Sequence, residues 1–88
     1  MINTPSITIY SKPNCSFCDM AKKMLKHRDI PFEEKILDTH YTKQWLVEQY
    51  PSATVFPVIV WDGFYIGGSK ELREKLKEQN LNEQLLTE

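Results

Sequence analysis

The stretch that decides the fold is Ile7-Thr8-Ile9-Tyr10-Ser11-Lys12-Pro13-Asn14-Cys15-Ser16-Phe17-Cys18. Its first four residues are β-branched or aromatic and predict a strand, and a polar connection that contains Pro13 follows. From Phe17 onward, apolar residues recur at helical spacing with lysines on the other side, which predicts an amphipathic helix that ends before Pro31. Cys15 and Cys18 therefore lie where a strand has ended and a helix begins.

Three more strands and two more helices are predicted further along the chain. Residues 32–37 are expected to form a strand with an exposed face, and residues 42–50 a short helix. Asp62-Gly63 separates two β-rich runs, Val58–Trp61 and residues 64–66. This arrangement indicates a hairpin with a two-residue turn at positive φ.

A last helix is predicted after Gly67-Gly68. Ser69 is expected to cap this helix, and Asn80 or Asn82 to interrupt it. The leucines assigned to the helix and to the turn or tail that follows are Leu72, Leu76, Leu81, Leu85 and Leu86.

The order of these elements, strand, helix, strand, helix, strand, strand, helix, defines the fold class. A strand–helix–strand opening implies a right-handed crossover and a parallel pair, and the hairpin adds antiparallel strands to the same sheet. We therefore predict an α/β fold: a mixed four-stranded sheet with helices on both faces, and Trp45 and Trp61 in the core. At 88 residues the chain has room for a single domain, residues 1–88.

The composition excludes several classes of protein. The chain is 41% hydrophobic and 26% charged, as is ordinary for a globular domain, and its formal net charge is -1. It has no basic tract that could follow phosphates, so nucleic acid is not an expected partner. The first residues lack a charged and then apolar segment, and no apolar stretch approaches about 20 residues, so we expect neither a signal peptide nor a membrane span. A soluble, cytoplasmic protein in a reducing environment is the expectation.

The two cysteines have the spacing and position of a redox pair. A thiolate at Cys15 would face unpaired N–H groups and the positive end of the helix dipole, with Lys12 as the nearby cation. Cys18 lies one turn along on the same side and is expected to be less exposed. Cys15 is therefore predicted to be the nucleophile and Cys18 to resolve the mixed disulfide. A structural staple is disfavoured, because cross-linking so short a loop removes little chain entropy.

Half of a zinc site is the alternative interpretation of a Cys-x-x-Cys segment. Zinc needs two more ligands, and the chain has no second cysteine pair. His27 and His40 are its only histidines, and neither pairs with another at metal-ligand spacing. We therefore expect no metal ligands and favour the redox interpretation.

The sequence resembles the glutaredoxins in four segments that follow one another at suitable spacing. They are Tyr10-Ser11-Lys12-Pro13-Asn14-Cys15-Ser16-Phe17-Cys18, a helix with Gln44, Thr54-Val55-Phe56-Pro57-Val58, and Gly67-Gly68-Ser69. The resemblance implies a thioredoxin-like fold, a Cys-Ser-Phe-Cys active site and glutathione-dependent thiol–disulfide exchange. It also implies that Pro57 is cis and lies beside Cys15.

The resemblance further implies a set of glutathione contacts. Lys12 and Gln44 would hold the glycyl carboxylate, and the Phe56 backbone would pair with an extended cysteinyl segment. The residues assigned to glutathione are Lys12, Phe17, Gln44, Phe56, Pro57, Gly68 and Ser69, of which Phe17 flanks the site and Gly68 and Ser69 hold the γ-glutamyl carboxylate. Without the resemblance, Gly67-Gly68 is equally consistent with a simple strand-to-helix break, and Lys12 and Gln44 with solvated residues.

The function implied is that of a monomeric dithiol glutaredoxin with glutathione as its reducing co-substrate and no obligatory metal. Its expected targets are protein disulfides, protein–glutathione mixed disulfides, or a reductase that needs dithiol electrons. Two alternatives stay open: a redoxin reduced by thioredoxin reductase, and an iron–sulfur carrier in which two chains share a 2Fe–2S cluster ligated by Cys15 and glutathione. Ser16 motivates the carrier, because glutaredoxins with a Cys-Ser-aromatic-Cys motif resemble the group most prone to it. Phe56 and Lys70 are further departures from the usual pattern.

Overall fold

The computed structural model describes the backbone of residues 5–87 and the side chains of residues 5–78. Seven elements follow one another in this part of the chain, in the predicted order. They are β1 (Ile7–Ser11), α1 (Ser16–His27), β2 (Glu33–Ile36), α2 (Lys43–Gln49), β3 (Val58–Trp61), β4 (Phe64–Gly67) and α3 (Ser69–Thr87). No helix in residues 5–87 is both long enough and apolar enough to cross a membrane.

The four strands form one mixed sheet in the order β2-β1-β3-β4. β1 is parallel to β2 and antiparallel to β3, and β4 is antiparallel to β3. Asp62 and Gly63 have φ angles of 52° and 86°, the positive values that a two-residue turn between right-twisted strands requires. The predicted crossover and hairpin are therefore both present.

Side chains from alternate positions of β1 and β3 form a core on each face of the sheet. Ile9 and Ile59 point to one face, where they meet α1 and α3, and Tyr10 and Val58 point to the other face, where they meet Leu46 of α2. The buried residues of the first cluster are Ile7, Ile9, Ala21, Leu25, Ile59, Trp61, Leu72 and Leu76. Helices therefore cover both faces, and the predicted α/β architecture is confirmed.

The last helix differs from its prediction at both ends. α3 runs without interruption past Asn80 and Asn82 to Thr87. Asparagine costs well under about 1 kcal/mol in a helix interior, and neither glycine nor proline follows Gly68 in the chain, so two asparagines do not break the helix. Ser69 is its first helical residue rather than its cap, because the residue before the helix is Gly68, whose carbonyl accepts from the Leu72 N–H. The side chains of Leu81, Leu85 and Leu86 lie outside the described part.

The two tryptophans have different environments. Trp61 is 5% exposed in the core, as predicted. Trp45 is 39% exposed, so its assignment to the core is wrong. Its ring packs against Tyr10 and Tyr41, with centroids 5.7 and 6.3 Å away, and leaves its other side open. A short helix at the edge of a domain this small cannot bury so large a side chain on every side.

Candidate active site

Cys15 is the N-cap residue, directly before helix α1. Asn14 adopts a left-handed conformation with φ of 57°, which asparagine tolerates, and it turns the chain from the end of β1 into the helix. Cys15 itself is extended, and its Sγ accepts a hydrogen bond from the Cys18 N–H at 3.1 Å. A cysteine sulfur thus fills the N-cap position that a serine or aspartate oxygen usually fills.

The two cysteines form a disulfide with a Cα–Cα distance of 5.2 Å, so the structure shows the oxidised state of the pair. Cys18 is 1% exposed and Cys15 is half-buried, which matches the predicted difference in exposure. An external thiol or disulfide can therefore reach Cys15 and is kept from Cys18. When the bond is reduced, a thiolate at Cys15 lies against the N–H groups at the positive end of α1.

A groove of about 520 Å³ opens on Cys15. It is lined by Lys12, Asn14, Cys15, Ser16, Phe17, Lys43, Leu46, Val47, Ala53, Thr54, Val55, Phe56 and Val58. Two of these residues are lysines and none is acidic, so the groove favours a ligand with negative charge. Phe17, Val47 and Val55 are 59%, 49% and 61% exposed, which gives the groove a rim of apolar side chains.

The segment before β3 closes one side of the groove. The Lys12 Nζ lies 5.3 Å from the centroid of the Phe56 ring, a cation–π distance that holds the lysine over the groove. The Phe56–Pro57 peptide bond is cis, as the resemblance implied, and Pro57 is buried behind it.

The two glycines before α3 bring the backbone close to this segment. A Cβ on Gly68 would lie 3.3 Å from the Pro57 carbonyl oxygen and 3.8 Å from the Val55 side chain. Gly67 has a φ of +127°, and the space beside it is filled by the Glu71 side chain, whose Oε1 accepts from the Gly68 N–H at 2.8 Å. This hydrogen bond lowers the pKa of the Glu71 carboxyl.

The structure brings most of the residues assigned to glutathione to one place. Lys12, Phe17 and Phe56 line the groove with Cys15, while Pro57 and Gly68 adjoin it through Phe56 and Val55. Ser69 follows Gly68 at the head of α3.

Gln44 is the exception among these residues. It is exposed and is not among the groove-lining residues, and its Nε2 lies 3.5 Å from an oxygen of Glu48. Lys43, one residue earlier, lines the groove instead. Sequence reasoning missed Lys43 because successive residues of a helix point about 100° apart, and a single apolar pattern over seven residues does not fix which polar neighbour faces a given groove.

Ser11 anchors the strand end that leads into the site, and sequence reasoning also missed it. Its carbonyl oxygen accepts from the Tyr41 hydroxyl at 2.7 Å and from the Leu37 N–H at 2.9 Å, and its own hydroxyl donates to Glu34 at 2.8 Å. Burial raises the pKa of Tyr41 to about 12. These contacts fix the backbone directly before Lys12.

Among residues 5–78, no three histidine, cysteine, aspartate or glutamate side chains gather closely enough to hold a metal ion. His40 is engaged elsewhere, since its Nδ1 accepts from the Ile36 N–H at 2.9 Å.

Comparison with known sequences identifies relatives of the domain that contains Cys15 and Cys18. The family model of glutaredoxin matches residues 7–66. Glutaredoxin 3 of Escherichia coli K12 is 30% identical over 67 residues, which are 76% of this chain and 81% of that protein. The hybrid peroxiredoxin hyPrx5 of Haemophilus influenzae is 38% identical over 69 residues, 78% of this chain, and the match spans 28% of that longer protein.

Solved structures show the same architecture. Glutaredoxin 1 from Francisella tularensis, crystallised with cacodylate, superposes with a TM-score of 0.70 at 26% identity, covering 90% of this chain and 99% of that one. The buckwheat glutaredoxin–glutathione complex, at 23% identity, agrees in fold with a TM-score of 0.72, covering 94% and 78% of the two chains. The thioredoxin-like fold that the resemblance implied is confirmed. The chain belongs to the glutaredoxin family of thiol–disulfide oxidoreductases.

Proposed function

We propose that this protein is a dithiol glutaredoxin that uses glutathione to reduce protein disulfides and protein–glutathione mixed disulfides, in the reducing cytoplasm. One observation carries the proposal: Cys15 faces a positively charged groove at the head of α1, while its partner Cys18 is 1% exposed behind it. The pair thus has one sulfur for external exchange and one for internal exchange.

The reaction follows from this division. The Cys15 thiolate attacks one sulfur of the substrate disulfide, a new S–S bond to Cys15 forms, and the substrate's other sulfur leaves as a thiolate that takes up a proton. The Cys18 thiolate then attacks the Cys15 sulfur, which releases the bound thiol and gives the internal disulfide that the structure contains. Two molecules of glutathione return the pair to the dithiol and become oxidised to glutathione disulfide.

We assign the glycyl carboxylate of glutathione to Lys12 and Lys43, the two cations that line the groove. Lys43 takes the place that the sequence assigned to Gln44. Phe17 flanks the cysteinyl sulfur, and the backbone of Phe56, ahead of Pro57, pairs with the cysteinyl segment. Because Glu71 already accepts the Gly68 N–H, the γ-glutamyl carboxylate is assigned to the N–H groups that follow, beginning with Ser69.

The first test compares the wild type with Cys18→Ser and Cys15→Ser. We expect both the wild type and Cys18→Ser to reduce a small glutathione mixed disulfide in a glutathione-dependent assay. In a second assay, the reduction of a protein disulfide, the wild type should be active and Cys18→Ser inactive. Cys15→Ser should be inactive in both assays. Turnover by the wild type with thioredoxin reductase but none with glutathione would refute the proposal and favour the redoxin alternative.

The second test uses neighbouring residues as a matched pair. Lys43→Gln should raise KM for the glutathione mixed disulfide about twofold to fivefold, since one exposed charge contact is worth roughly 0.4–1 kcal/mol. Gln44→Ala, one position along the same helix, should leave KM unchanged. A larger effect of Gln44→Ala than of Lys43→Gln would contradict the assignment of Lys43.

The match to a hybrid peroxiredoxin favours one class of protein substrate. We propose that an oxidised peroxiredoxin is among the disulfides this protein reduces, and the apolar rim around Cys15 would contact the protein surface beside that disulfide. Peroxide reduction by a peroxiredoxin should depend on this protein and glutathione together. The iron–sulfur alternative stays a prediction, and a colourless, monomeric product after anaerobic reconstitution with iron, sulfide and glutathione would exclude it.

A further inference from the structure

A pair of opposite charges lies one turn along α1 from the buried cysteine. The Lys22 Nζ is 2.9 Å from the Glu34 Oε2 and 3.5 Å from the Asp19 Oδ1. The Ser11 hydroxyl donates to the same Glu34 oxygen at 2.8 Å. The side chains of Lys22 and Glu34 are 24% and 27% exposed, so solvent screens this pair less than a surface pair.

Lys22 is four residues after Cys18, so the two side chains leave α1 on the same side with Cβ atoms roughly 5–6 Å apart. An ammonium group on the same side of the helix favours ionisation of a thiol, and it does so more strongly where the sulfur is as buried as that of Cys18. Glu34 opposes this influence in two ways: its negative charge cancels the field of Lys22, and its hydrogen bond draws the ammonium toward β2. The hydrogen bond also raises the pKa of Lys22 and lowers that of Glu34.

We propose that Glu34 is a positioning residue that restrains Cys18 as a nucleophile by pairing with Lys22. The inference rests on the proposed roles of the two cysteines. It concerns the second step, in which the Cys18 sulfur attacks Cys15, the internal S–S bond forms, and the bond from Cys15 to the bound thiol breaks. Slow closure leaves the mixed disulfide available to a second glutathione, so this ion pair sets the balance between the monothiol and the dithiol route.

The size of the effect follows from the properties of thiols. Lowering the pKa of a thiol by one unit multiplies its thiolate fraction about tenfold when that pKa lies above the ambient pH. The intrinsic nucleophilicity falls at the same time, with a Brønsted coefficient of roughly 0.4–0.5. Ring closure should therefore speed up about three- to fourfold for each unit by which the Cys18 pKa falls.

The experiment measures ring closure with dithiobis(nitrobenzoate). Cys15 attacks this reagent and releases one coloured thiolate, and Cys18 releases the second when it closes the ring, so the second phase gives the closure rate. No glutathione is present, so a failure of the proposed glutathione dependence leaves this test valid. The variants are Glu34→Gln, Lys22→Met and their double, and the control is Glu33→Gln, an exposed neighbour on β2 whose ion pair is with Lys35.

We expect Glu34→Gln to accelerate the second phase, by about three- to fourfold for each unit by which the Cys18 pKa falls, and Lys22→Met to slow it. The double variant should lie near the wild type, and Glu33→Gln should be unchanged. The pKa of Cys18, measured from thiolate absorbance in a Cys15→Ser background, should fall in Glu34→Gln and rise in Lys22→Met. Opposite changes in the two variants indicate an electrostatic effect. Loosened structure would instead change the closure rate and the Cys18 pKa in the same direction in both variants. Equal signs, or no change in either variant, would overturn the proposal, and each variant tests it alone if the other does not fold.

Discussion

Replacing Tyr41 by phenylalanine tests the anchor that holds the end of β1 ahead of the active-site loop. The Tyr41 hydroxyl is buried and donates to the Ser11 carbonyl at 2.7 Å, and Tyr41→Phe removes that hydrogen bond and little else. The carbonyl keeps its bond from the Leu37 N–H, so the variant leaves no buried polar group without a partner. The expected cost at neutral pH is therefore that of one ordinary hydrogen bond, about 1 kcal/mol in the free energy of unfolding.

The pH dependence gives this prediction a second, independent part. Tyr41 keeps its proton in the folded state up to about pH 12, whereas it loses it near pH 10 in the unfolded chain. The folded state thus binds more protons in that window, and the stability that the wild type draws from Tyr41 is complete below pH 10 and is lost as the pH rises toward 12. The whole loss amounts to about 2–3 kcal/mol.

Urea unfolding of both proteins at a series of pH values measures the difference. The wild type should exceed Tyr41→Phe by about 1 kcal/mol at pH 7, which corresponds to roughly 4–8 °C in Tm for a domain of this size. The difference in the free energy of unfolding should fall to about zero near pH 11 and then reverse. The contributions of all other titrating groups are the same in the two proteins and cancel from this difference. A difference as large at pH 11 as at pH 7 would refute the reasoning, because it would mean that the hydroxyl ionises equally well in both states.

Three further predictions concern stability. Leu25→Ala should lower the free energy of unfolding by about 2–5 kcal/mol in urea, because Leu25 is 0% exposed in the first core cluster; a loss below about 1 kcal/mol would contradict the packing. Gly67→Ala should cost about 1–3 kcal/mol, since its φ is +127° and the new Cβ would lie 2.5 Å from a carbon of Glu71; unchanged stability would show that neither constraint holds. Glu34→Gln should cost less than about 1 kcal/mol at pH 7, and this difference should shrink as the pH falls below the ordinary carboxyl range and the pKa-lowered carboxyl of the wild type takes up its proton, whereas a constant difference would count against the ion pair.

Local sequence was sufficient for the features that depend on neighbouring residues. The turn at Asp62 and Gly63 needs two positive φ angles in succession, and few residue pairs adopt them readily. Cys15 was placed at a helix start because the polar connection and the apolar spacing on either side of it leave little choice. The alternation in residues 7–10 likewise predicted the strand β1.

The parts that sequence did not predict depend on contacts across the fold. Ser11 and Glu34 are 23 residues apart and meet only because β1 and β2 pair in one particular register. Lys43 rather than Gln44 lines the groove because of the angle at which a seven-residue helix packs on the sheet, and no local pattern contains that angle. The exposure of Trp45 has the same origin.

The sulfur that caps α1 is also the sulfur that we propose reacts with the substrate. An N-cap acceptor contributes about 1 kcal/mol to the stability of a helix, and a thiolate, a mixed disulfide and the internal disulfide are acceptors of different strength. The N-terminus of α1 therefore has a hydrogen-bond acceptor of different strength in each of the three covalent states of Cys15. Closure of the thermodynamic cycle requires any difference in helix stability between these states to appear, with equal size, in the equilibrium between them. A substitution at Asp19, whose N–H donates to the Cys15 carbonyl in the first turn, therefore changes the thiol–disulfide equilibrium only by the amount by which its effect on α1 differs between these states.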